Sequence, residues 1–500
     1  MIEGHKAHME PGYLPWKKSA AAAGRPCFRD DNVELTYRQF TQRVDAFAAQ
    51  LADKGLRPGD VLAVMLPNRV ELVLAIFAAW RLGAAATPIN PAFTTTEAGF
   101  QIADSGARLL VNLDADSPTN GLPTIHVADM AADIAAGTGA RTVASHSVHD
   151  DDLALLVYTS GSTGKPKGVM LSHGNLVAMA SQMVERMTIT RDDHCLLILP
   201  LFHSNALLVS VLSPMLAGAQ TTVMGKFSPL PFLALIERLK PTYFSGVPTI
   251  FALLAALPDD VRPDTSSLRF AVCGAAPVSQ ELLTKSEERF GLVIIEGYGL
   301  TEGTCCSACN PIEGIRKLGT VGPPMPGQII AIMDPHDTFV PTGETGEVVI
   351  SGPTVMQGYL GNPDETAKTI RDGWLHTGDV GFLDEDGYLT LVDRIKDMII
   401  RGGENLYPKE IESILFEVDG VLEAAVVGKP DPILGEVPVA YVALYPDSPV
   451  TETELLAHCR THLTRVKVPV SITIVDAIPK NPVGKIDKPT LRRSLQPQQA

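Results

Sequence analysis

The sequence predicts layered α/β subdomains with parallel sheets, then a small β-rich segment and a compact C-terminal stretch. Three observations carry that expectation. The 500 residues exceed what one hydrophobic core serves, so two or more domains are needed. Helical and strand patterns alternate from the start, the signature of α/β layers. Residues 320–392 then change character, with short strands broken by turns at Pro341-Thr342-Gly343 and Asp384-Glu385-Asp386-Gly387.

The elements follow in order. Thr36 and Gln39 have the spacing of a capping box, and Tyr37, Phe40, Val44, Phe47 and Leu51 recur at helical spacing until Gly55 ends the element. Residues 61–66 read as a strand, 71–82 as a helix closed by Gly83, and 109–113 as another strand. The acidic residues 150–152 look like a subdomain junction. An apolar run, 153–158, reads as a buried strand, and a second alternating block covers 196–295. Past Asp393 the remaining chain is about one small domain long. There is no internal repeat and no low-complexity region.

Composition narrows the function. The 45% hydrophobic and 20% charged fractions are those of an ordinary soluble globular protein. Lys+Arg 41 against Asp+Glu 57 gives −16, which argues against a general nucleic-acid or anionic-membrane surface. Seven cysteines (27, 195, 273, 305, 306, 309, 459) are an odd number without framework spacing. Buried free thiols in a reducing compartment are expected, and with them a cytoplasmic location. The first seventeen residues hold charges and prolines in place of an apolar signal region, no run is long enough for a membrane span, and the last residues are not a peroxisomal address.

The most informative stretch follows the 153–158 strand. Thr159-Ser160-Gly161-Ser162-Thr163-Gly164-Lys165-Pro166-Lys167-Gly168 combines hydroxyls, glycines and lysines. Glycines let backbone fold closely around an anion, hydroxyls and amides donate, and lysines supply charge, which suits a polyphosphate. The spacing is neither that of a Walker A loop nor that of a dinucleotide fingerprint. Further along, Glu296-Gly297-Tyr298-Gly299-Leu300-Thr301-Glu302 offers close ligand approach at its glycines and an aromatic face at Tyr298. Thr301 can donate to a phosphate, and Glu302 is a hard-oxygen ligand suited to Mg2+. His203, after the run 199–202, is on residue type alone more often structural than functional.

The loop closely resembles the phosphate-loop signature of the adenylate-forming superfamily of acyl-CoA synthetases, luciferases and peptide-synthetase adenylation domains. Further motifs in the family's order extend that resemblance from the helix at Tyr37 to Lys485. It implies a large N-terminal AMP-binding domain (1–392) with the acyl and ATP sites, a hinge (393–397) and a small mobile α+β lid domain (398–500). Gly274-Ala275-Ala276 would pack backbone against adenine, Asp379 would accept the ribose hydroxyls, and Arg394 would be a second ribose or phosphate contact. Lys396 would be the hinge residue. Gly402-Gly403-Glu404 would line the pantetheine tunnel, where small residues leave room. Lys485 would bridge the attacking carboxylate and the α-phosphate, offsetting charge where two anions meet. His203 stands where amino-acid-activating relatives carry an Asp, so an amino acid is not the expected substrate.

The implied reaction has two halves: carboxylate attacks the α-phosphorus of MgATP, releasing pyrophosphate, and the CoA thiol then displaces AMP. The alternatives are a free acyl-carrier protein as acceptor, oxidative luciferase-like chemistry, and a regulator that kept the fold and lost the reaction. Residues 204–219 carry no charge, so a second substrate carboxylate would lack a partner there. Small residues at Ser204, Ala206, Gly297 and Gly299 suggest pocket depth and a medium- to long-chain fatty acid. Aromatic packing on Tyr298 keeps an aryl acid of coumarate or benzoate type as the alternative.

Overall fold

The computed structural model describes residues 12–130, 146–160, 166–276, 278–480 and 486–495. An eight-stranded sheet has the order Ala308–Cys309, Val293–Tyr298, Phe270–Cys273, Tyr243–Gly246, His194–Leu197, Gln220–Val223, Pro26–Arg29 and Glu34–Thr36. Every pairing between its first and last strands' inner neighbours is parallel, and only the two edge strands run antiparallel. A seven-stranded sheet, which includes Leu153–Ser160, Ala85–Pro88 and Val61–Met65, lies beside it. The α/β expectation therefore holds, and strands such as Val61–Met65 and Phe270–Cys273 are apolar and buried throughout because both faces of such sheets are covered.

Helix Val70–Arg81 shows how the layers join. It is apolar nearly all round and buried along almost its whole length, as a helix without a solvent face must be. Trp80 Nε1 donates to the Ala154 carbonyl at 2.9 Å, pinning the helix to the strand Leu153–Ser160. Helix Tyr37–Asp53 begins with the expected capping box, Thr36 and Gln39 bonding reciprocally.

The strand after the acidic junction differs from expectation. It continues to Ser160, and Pro166–Ser172 returns antiparallel beside it with Thr159 opposite Lys167 and Ser160 opposite Pro166. The proline hid this return strand in the sequence, yet a first strand residue is a position where proline is tolerated. Residues 204–217 also depart from a plain helix. The α turns Ser204–Leu207 and Ser213–Ala217 flank a π turn, Leu208–Leu212, closed by the Ser213 N–H donating to the Leu208 carbonyl.

The β-rich segment is an antiparallel sheet of Ile329–Met333, Gly346–Ser351, Ile370–Arg371, Trp374–Leu383 and Leu389–Arg394. After the short turn Ile395–Asp397 the chain enters a different sheet, built on the long hairpin Val421–Asp431 and Gly435–Leu444. That C-terminal unit has its own apolar cluster, including Ile399, Ile411, Leu415, Val426 and Leu455. All seven cysteines are free and buried. Among the described residues, no helix is long and apolar enough to cross a membrane.

Candidate active site

Four neighbouring parallel strands point their carboxyl ends the same way, where ligands of open α/β sheets bind. His203 follows the first, His194–Leu197, at the N-cap of helix Ser204–Leu207, its ring 4.4 Å from that of Phe202. Gly274, Ala275 and Ala276 follow Phe270–Cys273, and Gly297 to Gly299 close the adjacent Val293–Tyr298. A Cβ on Gly274 would sit 3.0 Å from the Gly297 carbonyl oxygen, so the two turns touch through backbone. Ala275 adopts φ 68, unusual for a residue with a side chain, and Ala275 and Ala276 are exposed. Burial pushes the Glu296 carboxyl up to about 7, while the Lys409 ammonium draws it down.

Two side-chain constellations stand on this edge. In the first, Asp379 is 5% exposed and its two oxygens are engaged separately. Tyr298 Oη donates to Oδ2 at 2.6 Å and Arg394 Nε donates to Oδ1 at 2.7 Å. Cross-strand pairing of Asp379 with Arg394 sets that second contact. Asp379 raises the Arg394 pKa, and burial raises that of Tyr298, so both stay protonated donors. Each carboxylate oxygen keeps a lone pair for a hydroxyl. The Tyr298 ring itself is 8% exposed and packs with Ala308, Val321 and Ile330.

In the second, Thr301 and Glu302 lie half-buried in the turn Thr301–Gly303. Tyr359 Oη donates to Glu302 Oε1 at 2.9 Å, and Lys167 Nζ lies 4.6 Å from the centre of the Tyr359 ring. Lys167 also pairs with Glu365 at 2.6 Å. One tyrosine thus gathers Lys167 and the candidate metal ligand. Burial, then Glu302, raises the Tyr359 pKa and keeps it a donor. Thr304, fully buried with φ 72, is strained for a β-branched residue, and Thr354 holds it by accepting its hydroxyl. Tyr359 and Glu365 carry no motif of their own. Their only sequence signal is the turn-rich segment in which they fall.

The glycines correct one expectation. A Cβ on Gly299 would run into the Cys305 carbonyl oxygen, and one on Gly297 would meet Cys306 and Cys309 Sγ at 3.6 Å. Both positions answer to packing against protein, so no pocket depth follows from them. Gly402 and Gly403 form the turn of a hairpin between Ile399–Arg401 and Glu404–Leu406, with φ 60 and 89. An added Cβ on Gly403 meets nothing within 4 Å. The turn's left-handed backbone here favours glycine at both positions. Glu404 is exposed beside them.

Lys396 sits exposed in the turn Ile395–Asp397, where the chain leaves one sheet for the next. Contacts bracket that turn: the Lys409 N–H donates to Asp393 at 2.8 Å, Lys409 Nζ to the Leu391 carbonyl at 2.8 Å, and Arg492 to Asp397 at 2.9 Å. Lys409, which the sequence reading missed, therefore joins the C-terminal unit to the β-rich sheet. Lys485 and the loop residues Gly161, Ser162, Thr163, Gly164 and Lys165 lie outside the described residues, as does the side chain of Ser160.

Family models extend the geometry to most of the chain. Residues 16–360 match the model of the AMP-binding enzymes, and 410–485 that of the AMP-binding enzyme C-terminal domain. A feruloyl-CoA synthase of Amycolatopsis is 38% identical over 96% of this chain and 98% of its own length. ATP-bound MatB from Rhodopseudomonas palustris superposes with a TM-score of 0.91 at 30% identity, covering 97% of this chain and 99% of that one. The o-succinylbenzoate CoA synthetase of Bacillus subtilis, solved with its acyl-adenylate, gives 0.87 at 31% identity over 98% of both.

Proposed function

Since this chain belongs to the AMP-binding enzymes and is an ATP-dependent, AMP-forming acyl-CoA ligase, we propose that its acid is a hydrophobic monocarboxylate of the aryl, hydroxycinnamate type. The observation that carries the reading is that the turns Ser204–Leu207, Leu208–Leu212 and Ser213–Ala217, directly after His203, are uncharged and largely buried, and we take them as a wall of the acid site. A second carboxylate buried against it would go unpaired at prohibitive cost. Among hydrophobic acids, likeness to a feruloyl-CoA synthase over nearly the whole chain favours an aryl acid. The same wall would accept an aliphatic tail, which keeps a medium- to long-chain fatty acid as the second reading.

In the reaction, the carboxylate forms a bond to the α-phosphorus while pyrophosphate leaves, and the CoA thiolate then bonds to the acyl carbon while AMP leaves. Asp379, its oxygens held apart by Tyr298 and Arg394, accepts the ribose hydroxyls, so no reorganisation is needed on binding. Glu302 fits Mg2+, since that ion is commonly held by one or two carboxylates plus substrate phosphates. Mg2+ would supply charge neutralisation on those phosphates. Lys167 and Thr301 contact the phosphates, Gly274 to Ala276 the adenine, and His203 the acid. Lys485 would lie between the two anions during adenylation. The C-terminal unit (398–500) would then rotate about Lys396 and bring Gly402–Gly403 to the CoA thiol. Free buried thiols fit a reducing compartment, and we assign the chain to the cytoplasm.

AMP release is to be measured with ferulate, 4-coumarate, benzoate, malonate, and the aliphatic acids from acetate to palmitate. Ferulate and 4-coumarate should lead. A rate that climbs along the aliphatic series, by up to about 0.8 kcal/mol per buried methylene, would select the second reading. Best turnover on malonate would end both. Replacing CoA by a free acyl-carrier protein in the same assay identifies the acceptor. Lys485→Ala should nearly abolish adenylation yet spare thioester formation from supplied acyl-adenylate; equal losses would refute the alternation.

A further inference from the structure

The C-terminal unit carries a group of ligand-type side chains that the ligase chemistry does not use. Helix Glu452–His462 presents His458 and His462 four residues apart, hence on one face at its end. Helix Pro408–Phe416 ends at Glu417, whose carboxylate meets them. One ligand atom from each of the three lies within 4.8 Å of the other two.

The details fit coordination better than an ion pair. His458 Nε2 lies 3.4 Å from Glu417 Oε2, shielded from solvent and without a hydrogen bond. Two donors each about 2.0–2.1 Å from one tetrahedral zinc stand about 3.4 Å apart. His462 Nδ1 is 2.9 Å from the His458 carbonyl oxygen, which can only accept. That contact puts the proton on Nδ1 and leaves the Nε2 lone pair for a ligand, the way second-shell carbonyls orient metal-binding histidines. The two rings lie 4.1 Å apart, near enough to serve one ion.

We propose that Glu417, His458 and His462 form a site for a divalent first-row transition ion, Zn2+ foremost, which clamps helix Glu452–His462 to the end of helix Pro408–Phe416. Two imidazoles and a carboxylate select such an ion over the Mg2+ that accompanies ATP. Three protein ligands leave a fourth position to water.

The test is a Zn2+ titration of the full chain against a chromophoric chelator, alongside thermal unfolding with and without Zn2+. His458→Gln/His462→Gln and Glu417→Gln are carried in parallel, because other histidines can bind ions weakly. Wild type should hold one Zn2+ and gain thermal stability from it. The double variant should lose at least the roughly 10- to 100-fold in affinity that even outer-shell changes cost, together with the thermal shift. Pyrophosphate exchange should persist in the variants, which verifies their fold. If the double variant misfolds, Glu417→Gln and the visible spectrum of Co2+-loaded wild type decide. Equal titration of wild type and variants, no thermal shift in wild type, or an octahedral aquo-type Co2+ spectrum would each overturn the site.

Discussion

The carboxyl edge of the parallel sheet and the C-terminal unit hold their candidate functional groups in opposite ways. On the edge, Asp379 is clasped by Tyr298 and Arg394, and Glu302 by Tyr359 beside Lys167. Asp379 is buried and Glu302 half-buried, and both are oriented before any ligand arrives. In the C-terminal unit, Gly402, Gly403 and Glu404 occupy an exposed hairpin tip, and Lys396 lies in the exposed turn that precedes the unit. Preorganised donors suit binding and charge stabilisation, which reward fixed geometry. Exposed turns suit groups that must enter and leave.

The contrast is broken or sharpened by substitutions on each side, and the largest effect should come from the candidate metal ligand. Glu302→Gln replaces a hard anionic ligand by a neutral amide, so adenylation should fall by about two orders of magnitude or more and need more Mg2+. An unchanged Mg2+ titration would remove Glu302 from the metal site. Next, Gly299→Ala should cost about 3 kcal/mol or more, since backbone must move away from Cys305, whereas Gly297→Ala stays near neutral. Urea unfolding of the pair checks this; equal stability would return the two glycines to the pocket.

Tyr359→Phe keeps the ring under Lys167 and removes the hydroxyl from Glu302. Loss of that bond should cost about 1–2 kcal/mol, roughly 5- to 30-fold in adenylation, with the fold intact. Gly403→Ala, on the C-terminal side, should cost about 1–2 kcal/mol of local strain at φ 89. It should slow thioester formation and leave pyrophosphate exchange within about twofold, since only strain at the tip is added. A matched loss in both half-reactions would place the tip in the preorganised half.

The smallest effect concerns pH. Burial raises the Glu296 carboxyl to about 7, so between its ordinary value and 7 the folded chain holds a proton that the unfolded chain has lost. Stability from this group is therefore full at acid pH and declines as pH rises through 7. Glu296→Gln should remove that slope, gaining on wild type at pH 8 and not below pH 4.5. Parallel urea midpoints at both pH values decide.

Local chemistry made much of this chain legible without coordinates. The capping box at Thr36, the helix from Tyr37, the strand at Val61 and the change to β structure near residue 320 follow from periodicity and turn residues, which act within a few positions. The reaction class was legible from the resemblance of the loop and of the motifs around Glu302, Asp379 and Lys485 to those of the adenylate-forming enzymes, because each motif lies in contiguous residues. Tertiary structure alone brought Tyr359 to Glu302 from 57 positions away and Tyr298 to Asp379 from 81. It also set Gly299 against a carbonyl six residues on, and showed the positive φ that Gly402 and Gly403 supply to their hairpin. A missing side chain reads the same in a sequence whether it admits a ligand, a backbone or a positive φ, and only the packed chain tells which.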